Sequence, residues 1–443
     1  MKTDKKLFIE TYGCQMNFSD SEIVASILSE NDFSTVDEAS SADLILINTC
    51  SVRDKAEQRV WKRLKELRAM KKKNPNLKIG VIGCMAERLK DQLFETEAVV
   101  DLVAGPDAYR DLPSLIDAIT SGQRAANIQL SIEETYEDVE PVRYDSNGIS
   151  AFISIMRGCE NFCSYCVVPF TRGKERSRNP ETILNEAERL FNEGYREITL
   201  LGQNVNSYHW EQDGDSMDFP RLLASVAEIN PLLRVRFTTS HPKDLSDKLI
   251  ETISLHPNIC RSIHLAVQSG STSVLEQMNR KYTREWYMNR ISAIKALLPD
   301  CAISTDIIAG FCGETDKDHQ QTLSLMEWVP FDYAFMFKYS VRSGTIAEKK
   351  FTDDVPEAVK AERLKEIISL QQKLSLRSNK KDIGKVFEVL VEGVSKKSVH
   401  SMMGRNSQNK VVVFESSTSK PGEYTLVKIT SCTPATLIGE HVN

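Results

Sequence analysis

An α/β chain in three parts is the fold class the sequence predicts: an N-terminal parallel α/β domain, a central (β/α)6 partial barrel and a small C-terminal β-barrel. Three observations predict it. Short apolar strands alternate with helix-period segments over the first 120 residues, the order that gives a parallel sheet under covering helices. Six more strand candidates recur between Ile149 and about Ser340, most of them separated by helical stretches. Past Lys381 the apolar period changes to two, as in a small barrel of paired strands. The parts are expected at residues 1–122, 149–378 and 379–443, with a linker over 123–148.

Leu7-Phe8-Ile9 centres the first strand, over 6–10. A helix over 21–29 follows, with Ile23, Val24, Ile27 and Leu28 at helical spacing behind the capping candidates Ser19 and Asp20. Strands over 43–47, 78–82 and 99–103 alternate with helices over 52–73 and 87–95, the longer one stopped by Asn74-Pro75. Between Ser131 and Asn147 six acids (Glu133, Glu134, Glu137, Asp138, Glu140, Asp145) meet one base, Arg143, for a net charge of −5. That reads as an exposed linker. The barrel strands are expected over 149–156, 196–201, 233–239, 262–267, 301–309 and 332–338, with helices such as 181–192 and 284–298 between them. One long helix covers 357–377, and alternation then marks strands at 386–391, 411–414 and 424–429.

Composition excludes several classes. Of 443 residues 41% are hydrophobic and 27% charged, an ordinary globular balance. With 20 Gly and 15 Pro the chain is neither fibrous nor of low complexity. Apolar runs such as Leu44 to Ile47 fall far below the ~18–20 residues of a membrane span. The first six residues carry the charge of a signal peptide, but only Leu7-Phe8-Ile9 follows as an apolar core, so a cytoplasmic protein is expected. A net charge of −6 excludes a histone-like polycation and leaves room for RNA binding through a local basic patch.

The ten cysteines do not read as disulfides in such a compartment. Cys159, Cys163 and Cys166 fall in one short loop after the first barrel strand, where barrel enzymes carry their chemistry. No fourth Cys or His follows before His209. Zinc usually takes four closed ligands, and an iron–sulfur cluster normally takes four thiolates; three thiolates leave one iron open to an outside ligand. A structural zinc site or plain buried thiols are the alternatives. Cys14, Cys50 and Cys84 follow the first three principal strands of the N-terminal domain, 36 and 34 residues apart, about one βαβ unit each. Strand ends of a parallel sheet share one edge, so these thiols converge there, the alternative being three buried structural thiols. Cys260, Cys301 and Cys432 read as core thiols, and His264 as a satisfied buried histidine.

Cys-x3-Cys-x2-Cys with Tyr165 before the last Cys resembles the radical S-adenosylmethionine superfamily. Thr11-Tyr12-Gly13-Cys14-Gln15-Met16-Asn17, Asn48-Thr49-Cys50-Ser51-Val52-Arg53 and the segment Val167 to Arg178 resemble the MiaB branch of its methylthiotransferases, over nearly the whole chain. The C-terminal barrel resembles a TRAM domain, a tRNA-binding module. Several expectations are implied by this resemblance alone. There are two 4Fe-4S clusters, one at Cys159, Cys163 and Cys166 that generates a 5′-deoxyadenosyl radical from S-adenosyl-L-methionine. The auxiliary one, at Cys14, Cys50 and Cys84, carries the sulfur that a second cofactor molecule methylates. Cofactor contacts are implied at Tyr165, Gly202, Gln203, Asn204, Gln268 and Ser269. The implied substrate is a tRNA carrying prenylated adenosine 3′ of the anticodon, with methylthiolation at C2. That C–H bond has no useful acidity, so general-base chemistry cannot reach it and the cofactor supplies the hard step. An electron donor such as flavodoxin or ferredoxin, a sulfur donor and a monomeric state complete the expectation. Ala266 and Cys312 stand where the family commonly has Pro.

RNA contact is also argued from charge. Arg172, Lys174, Arg176 and Arg178 put four bases around one acid, a phosphate-binding pattern or a solvated surface. From Lys380 to Asn443 nine Lys/Arg oppose six Asp/Glu, net +3. The polar turn Gly404 to Lys410, with Arg405 and Lys410, is a second candidate, the alternative being a solvated hairpin. The basic run from Lys62 to Lys73 reads as a solvated helix face. Two rival functions share the enzyme class: methylthiolation of threonylcarbamoyladenosine in tRNA or of a ribosomal-protein aspartate. A third is a non-catalytic iron–sulfur RNA-binding redox sensor.

Overall fold

The computed structural model describes all residues except 1–4, 52–53, 91, 145–146, 396–397, 399, 417 and 443. Val52, Arg53 and Asp145, used in the sequence reading, therefore lie outside the described residues. The N-terminal sheet has six parallel strands: β1 (Lys5–Tyr12), β2 (Phe33–Thr35), β3 (Leu44–Thr49), β4 (Lys78–Ile82), β5 (Leu102–Ala104) and β6 (Ala125–Asn127). Their spatial order is β2-β1-β3-β4-β5-β6. Leu44, Ile45, Leu46 and Ile47 of β3 are all buried, as a strand covered on both faces must be. Val24 and Leu28 of α1 (Gln15–Ser29) close one face. Val60, Leu64 and Leu67 of α2 (Asp54–Lys73) close the other.

Three features differ from expectation. Helix α1 begins at Gln15, directly after Cys14, rather than at 21. The helix expected over 87–95 is two pieces, Cys84–Leu89 and Gln92–Thr96. The segment 123–148 keeps most of its described residues exposed or half-buried but is fastened rather than free: β6 pairs with β5, Tyr136 is 2% exposed, and Arg143 bridges Glu22 and Glu186. Its acids are partly matched by distant arginines, Arg110 taking both Glu134 and Asp138.

The central part contains two parallel triplets. β7 (Ser150–Ser154), β8 (Glu197–Leu201) and β9 (Arg234–Thr238) form one. β10 (Ser262–His264), β11 (Ala302–Ala309) and β12 (Tyr333–Lys338) form the other. Parallel bridges Val235↔Ile259 and Ser240↔Leu265 join them, giving the six-stranded partial barrel expected. Helix Glu357–Lys380 packs against it, with Ile367 and Leu374 buried in the barrel core.

Five strands close the C-terminal barrel, two more than the alternation revealed: Val386–Val394, Ser401–Asn406, Val411–Glu415, Tyr424–Cys432 and Thr436–His441. Its turn over 404–410 does not lie open to solvent. Arg234 donates to the Arg405 carbonyl (2.7 Å) and Arg236 to that of Asn406 (2.9 Å). The Ser407 hydroxyl accepts from the Arg261 amide at 2.9 Å. Lys410 Nζ meets Ser378 Oγ at 2.9 Å and Asp382 at 2.8 Å. The RNA role expected for Lys410 is thus corrected: its ammonium is consumed in docking the small barrel on the large one. Arg405 is held by Glu392 at 2.9 Å and keeps a 40% exposed side chain.

Candidate functional site

Strand order 2-1-3 places the topological switch point between β1 and β3, where open α/β sheets form their crevice. Cys14 ends the turn after β1 and serves as the N-cap residue of α1. Cys50 follows β3, and Cys84 opens the helix after β4. The sheet thus brings these three thiols to one edge, as the sequence spacing implied. Glycine is required beside them: a Cβ at Gly13 would sit 2.9 Å from Cys50 Cβ. Beneath the thiols Asn17 donates to Asn48 (3.1 Å), and Asn48 donates to the Asn17 carbonyl (2.8 Å) and Ser21 (2.9 Å). This buried network fixes both thiol-bearing turns. A hydrogen bond from Cys50 is the main reason the Cys14 thiol is lowered to about 6. Burial raises the Cys84 thiol, and Arg172 opposes that rise.

The other three thiols lie on the loop after β7, tied at its base by Met156–Arg157 pairing with Arg176–Ser177. Gly158 has φ +80°, and a Cβ there would overlap the Lys174 carbonyl, so the loop closes only with glycine. Ser164 anchors it to the barrel, donating to the Gln277 carbonyl at 2.8 Å and accepting from the Ala347 amide at 2.7 Å. Asn161 Nδ2 lies 3.4 Å from Cys159 Sγ, and Arg280 Nη1 lies 3.2 Å from Cys163 Sγ. Burial pushes the Cys159 thiol up to about 11 and raises Cys166 as well, the neighbouring thiols adding to both.

Both sets offer the donor type that an iron–sulfur cluster takes. All six cysteines are free thiols. Among the described residues no three His, Cys, Asp or Glu side chains converge as a single-ion site; a cluster instead takes its thiolates on separate irons. Several buried polar atoms of the two domains have no protein partner among the described residues. Gln203 Oε1, Asn206 Nδ2 and His241 Nε2 are such atoms in the barrel, and Arg172 Nη1, Thr171 Oγ1 and Glu87 Oε2 near the N-terminal thiols.

The expected cofactor contacts divide. Tyr165 lies at the barrel rim, its hydroxyl 3.4 Å from Arg280 Nη1. Gln203 keeps its orphan Oε1. Gly202 is packed so closely that a Cβ would lie 2.5 Å from Met156 Cγ. Gln268, at φ +71°, bridges to Ile307 through its backbone. Asn204 and Ser269 are already engaged within the barrel. Asn204 donates to Asp244 (2.7 Å) and accepts from the His241 amide (3.0 Å). Ser269 pairs with Thr322 at 3.3 Å and is fully buried. Ala266, in place of Pro, offers its carbonyl to Arg280 Nη2 at 2.6 Å.

The basic run is corrected too. Arg172, Arg176 and Arg178 are 3%, 6% and 7% exposed, and each faces a carboxylate. Arg172 meets Asp20 at 2.6 Å, Arg176 meets Asp107 at 3.0 Å and Arg178 meets Glu186 at 2.5 Å. Buried guanidiniums with ion-pair partners are not available to phosphates. Only Lys174 of the four is exposed. Sequence reasoning missed Arg157, Asp20 and Asp107, which complete this network. Asp20, whose sequence position suggests only a helix cap, sits 137 residues from Arg157 and accepts from it at 2.7 Å.

Glu87 carries a pH dependence. It is 3% exposed, and loss of hydration pushes its carboxyl from 4.5 up to about 7, with Asp107 adding and Lys90 opposing. The folded chain therefore holds a proton there that the unfolded chain releases near 4.5. This group's contribution to stability is full below that value and is lost as pH rises to about 7. The shift corresponds to about 3 kcal/mol. Glu87→Gln removes the titration, so its thermal midpoint should exceed that of the parent above pH 7 and lose the slope below it. Parallel pH profiles for the two proteins would refute this.

Comparison with known proteins agrees with the geometry. Residues 6–105 match the family described as Uncharacterized protein family UPF0004, 153–326 the Radical SAM superfamily and 380–442 the TRAM domain. A tRNA-2-methylthio-N(6)-dimethylallyladenosine synthase of Amoebophilus asiaticus is 57% identical over 448 residues, covering 98% of this chain and 92% of the relative. One of the same name from Phocaeicola vulgatus is 56% identical over 440 residues, covering 99% and 96%. Among solved structures, the radical S-adenosylmethionine methyltransferase TsrM from Kitasatospora setae aligns with a TM-score of 0.56 at 11% identity, over 78% of this chain and 77% of that one. That is a likeness of fold alone. With three matched domains in this order and more than half its residues identical to full-length relatives, the chain belongs to the tRNA-2-methylthio-N(6)-dimethylallyladenosine synthase family of the radical SAM superfamily.

Proposed function

We propose that this protein converts N6-(dimethylallyl)adenosine at tRNA position 37, beside the anticodon, to its 2-methylthio derivative. The observation that carries this reading is a contact that links the loop of one three-thiol set to the other set across the domain junction. Cys166 and Arg172 are joined by one short helix, Val168–Thr171, and Arg172 Nε lies 3.2 Å from Cys84 Sγ. A sensor needs one such set, whereas sulfur insertion at an unactivated carbon needs a radical source and a sulfur carrier side by side.

In this reading Cys159, Cys163 and Cys166 hold one 4Fe-4S cluster and Cys14, Cys50 and Cys84 the other. When bound, S-adenosylmethionine and the clusters supply the 5′-deoxyadenosyl radical and the methylated sulfur. The chain itself binds and orients. Arg280 steadies Cys163 and, with Tyr165, shapes the rim where the cofactor's adenine belongs. Gln203 offers an acceptor for the cofactor's methionine part. The ladder at the loop base and the Asn17–Asn48 network keep both thiol sets rigid, which radical chemistry demands of its positioning groups.

The tRNA is assigned to the C-terminal barrel, with Lys174 and Arg405 as phosphate contacts. An external one-electron donor such as flavodoxin or ferredoxin and a sulfur donor belong to the same proposal, as does a monomer in the cytoplasm. No helix among the described residues is long and apolar enough to cross a membrane. Nucleoside mass spectrometry of tRNA from a deletion strain tests the reading. Prenylated adenosine without its methylthio group supports it. Unchanged tRNA beside an altered ribosomal protein rejects it.

A further inference from the structure

Arg172 belongs to the radical SAM domain but touches a thiol of the other domain. Its Nε lies 3.2 Å from Cys84 Sγ and its Nη2 2.6 Å from Asp20 Oδ2. The third nitrogen, Nη1, is buried without a partner among the described residues. Around Asp20 and Asp107 three guanidiniums (Arg157, Arg172, Arg176) meet two carboxylates. One positive charge is therefore in excess, and a thiolate ligand at Cys84 balances it. Asp20 does not depend on Arg172 for its place, because Arg157 donates to its other oxygen at 2.7 and 2.9 Å.

We propose that Arg172 is the positioning residue of the auxiliary site: it orients the Cys84 sulfur and sets the reduction potential of the cluster held there, acting from the domain that carries the other cluster. Cluster potentials follow net charge, hydrogen bonds to sulfur and exposure. A charged N–H···S bond between residues 3% (Arg172) and 5% (Cys84) exposed stabilises the more negative, reduced state and so raises the potential. This inference rests on the reading that Cys14, Cys50 and Cys84 hold a cluster.

The test uses full-length protein with Cys159, Cys163 and Cys166 changed to Ala, reconstituted anaerobically with iron and sulfide, so that only the auxiliary site loads. That parent should hold about four irons per chain, and an iron-free parent would reject the underlying reading rather than this inference. Potentiometric titration followed by electron paramagnetic resonance then compares variants. Arg172→Met should load and show a lower midpoint potential; Arg172→Lys, which keeps the charge but not the fork, should fall between the two. If Arg172→Met does not load, a loaded Arg172→Lys with a lowered potential supports the proposal. A loaded variant with the parent's potential overturns it. Failure of both variants to load, where the parent loads, also overturns it, because the role is then structural.

Discussion

Cys163→Ala should lower the iron content of the anaerobically prepared protein from about eight to about four per chain and abolish cleavage of S-adenosylmethionine to 5′-deoxyadenosine. Cys84→Ala should lose the other four irons and the methylthio product while cleavage continues. The opposite outcomes follow from the separation of the two sets. Cys163 is 6% exposed on a loop whose anchors, Gln277, Met278 and Ala347, all lie in the barrel domain. Removing its sulfur leaves two thiolates for a cage that needs three, and the neighbouring Arg280 is a donor that cannot replace a ligand. Cys84 is held by the sheet edge of the other domain, so its loss leaves the barrel loop intact. Iron analysis with chromatographic assay of deoxyadenosine checks both. Deoxyadenosine from the Cys163→Ala protein would mean that the roles of the two sets are misassigned.

The thiols were legible because each follows an apolar strand, and strand ends of a parallel sheet share an edge whatever the loops do. The arginines were not. Arg172, Lys174, Arg176 and Arg178 alternate like a surface strand, and local charge counting shows one acid among them. The carboxylates that bury Arg172 and Arg176 are 152 and 69 residues away, beyond any window. β2 and β6 were missed for a related reason. Phe33–Thr35 and Ala125–Asn127 are three residues each, too short for an alternating pattern to show, and pairing with β1 and β5 makes them strands. In the acidic segment Tyr136 was the overlooked signal. Its ring covers the Arg157 guanidinium at 4.7 Å and its hydroxyl donates to the Pro106 carbonyl at 3.0 Å, pinning a segment whose composition suggested solvent.

Asp20→Ala should be the most destabilising single substitution in the domain junction, by about 3–5 kcal/mol. Asp20 has no exposed surface and its carboxylate serves two guanidiniums that are themselves 1% and 4% exposed at the side chain. Tyr109 adds a hydroxyl donor at 3.3 Å. Without Asp20, Arg157 and Arg172 retain their charges in a buried space, with Asp107 4.0 Å from Arg157 as the nearest compensation. An uncompensated buried charge is far more costly than the loss of a surface pair. Lys248–Asp218, with side chains 53% and 39% exposed, is such a surface pair and should change stability by no more than about 1 kcal/mol when broken. Because Asp20 lies on α1 and both arginines lie in the barrel domain, the deficit should appear as undocking: the N-terminal domain unfolding before the barrel in a thermal scan. Combining Asp20→Asn with Arg157→Met should be less harmful than the two single effects added, since the second change removes one of the stranded charges. Additive single and double effects would mean that the network is packing rather than electrostatics, and the carboxylate would then be only filling space.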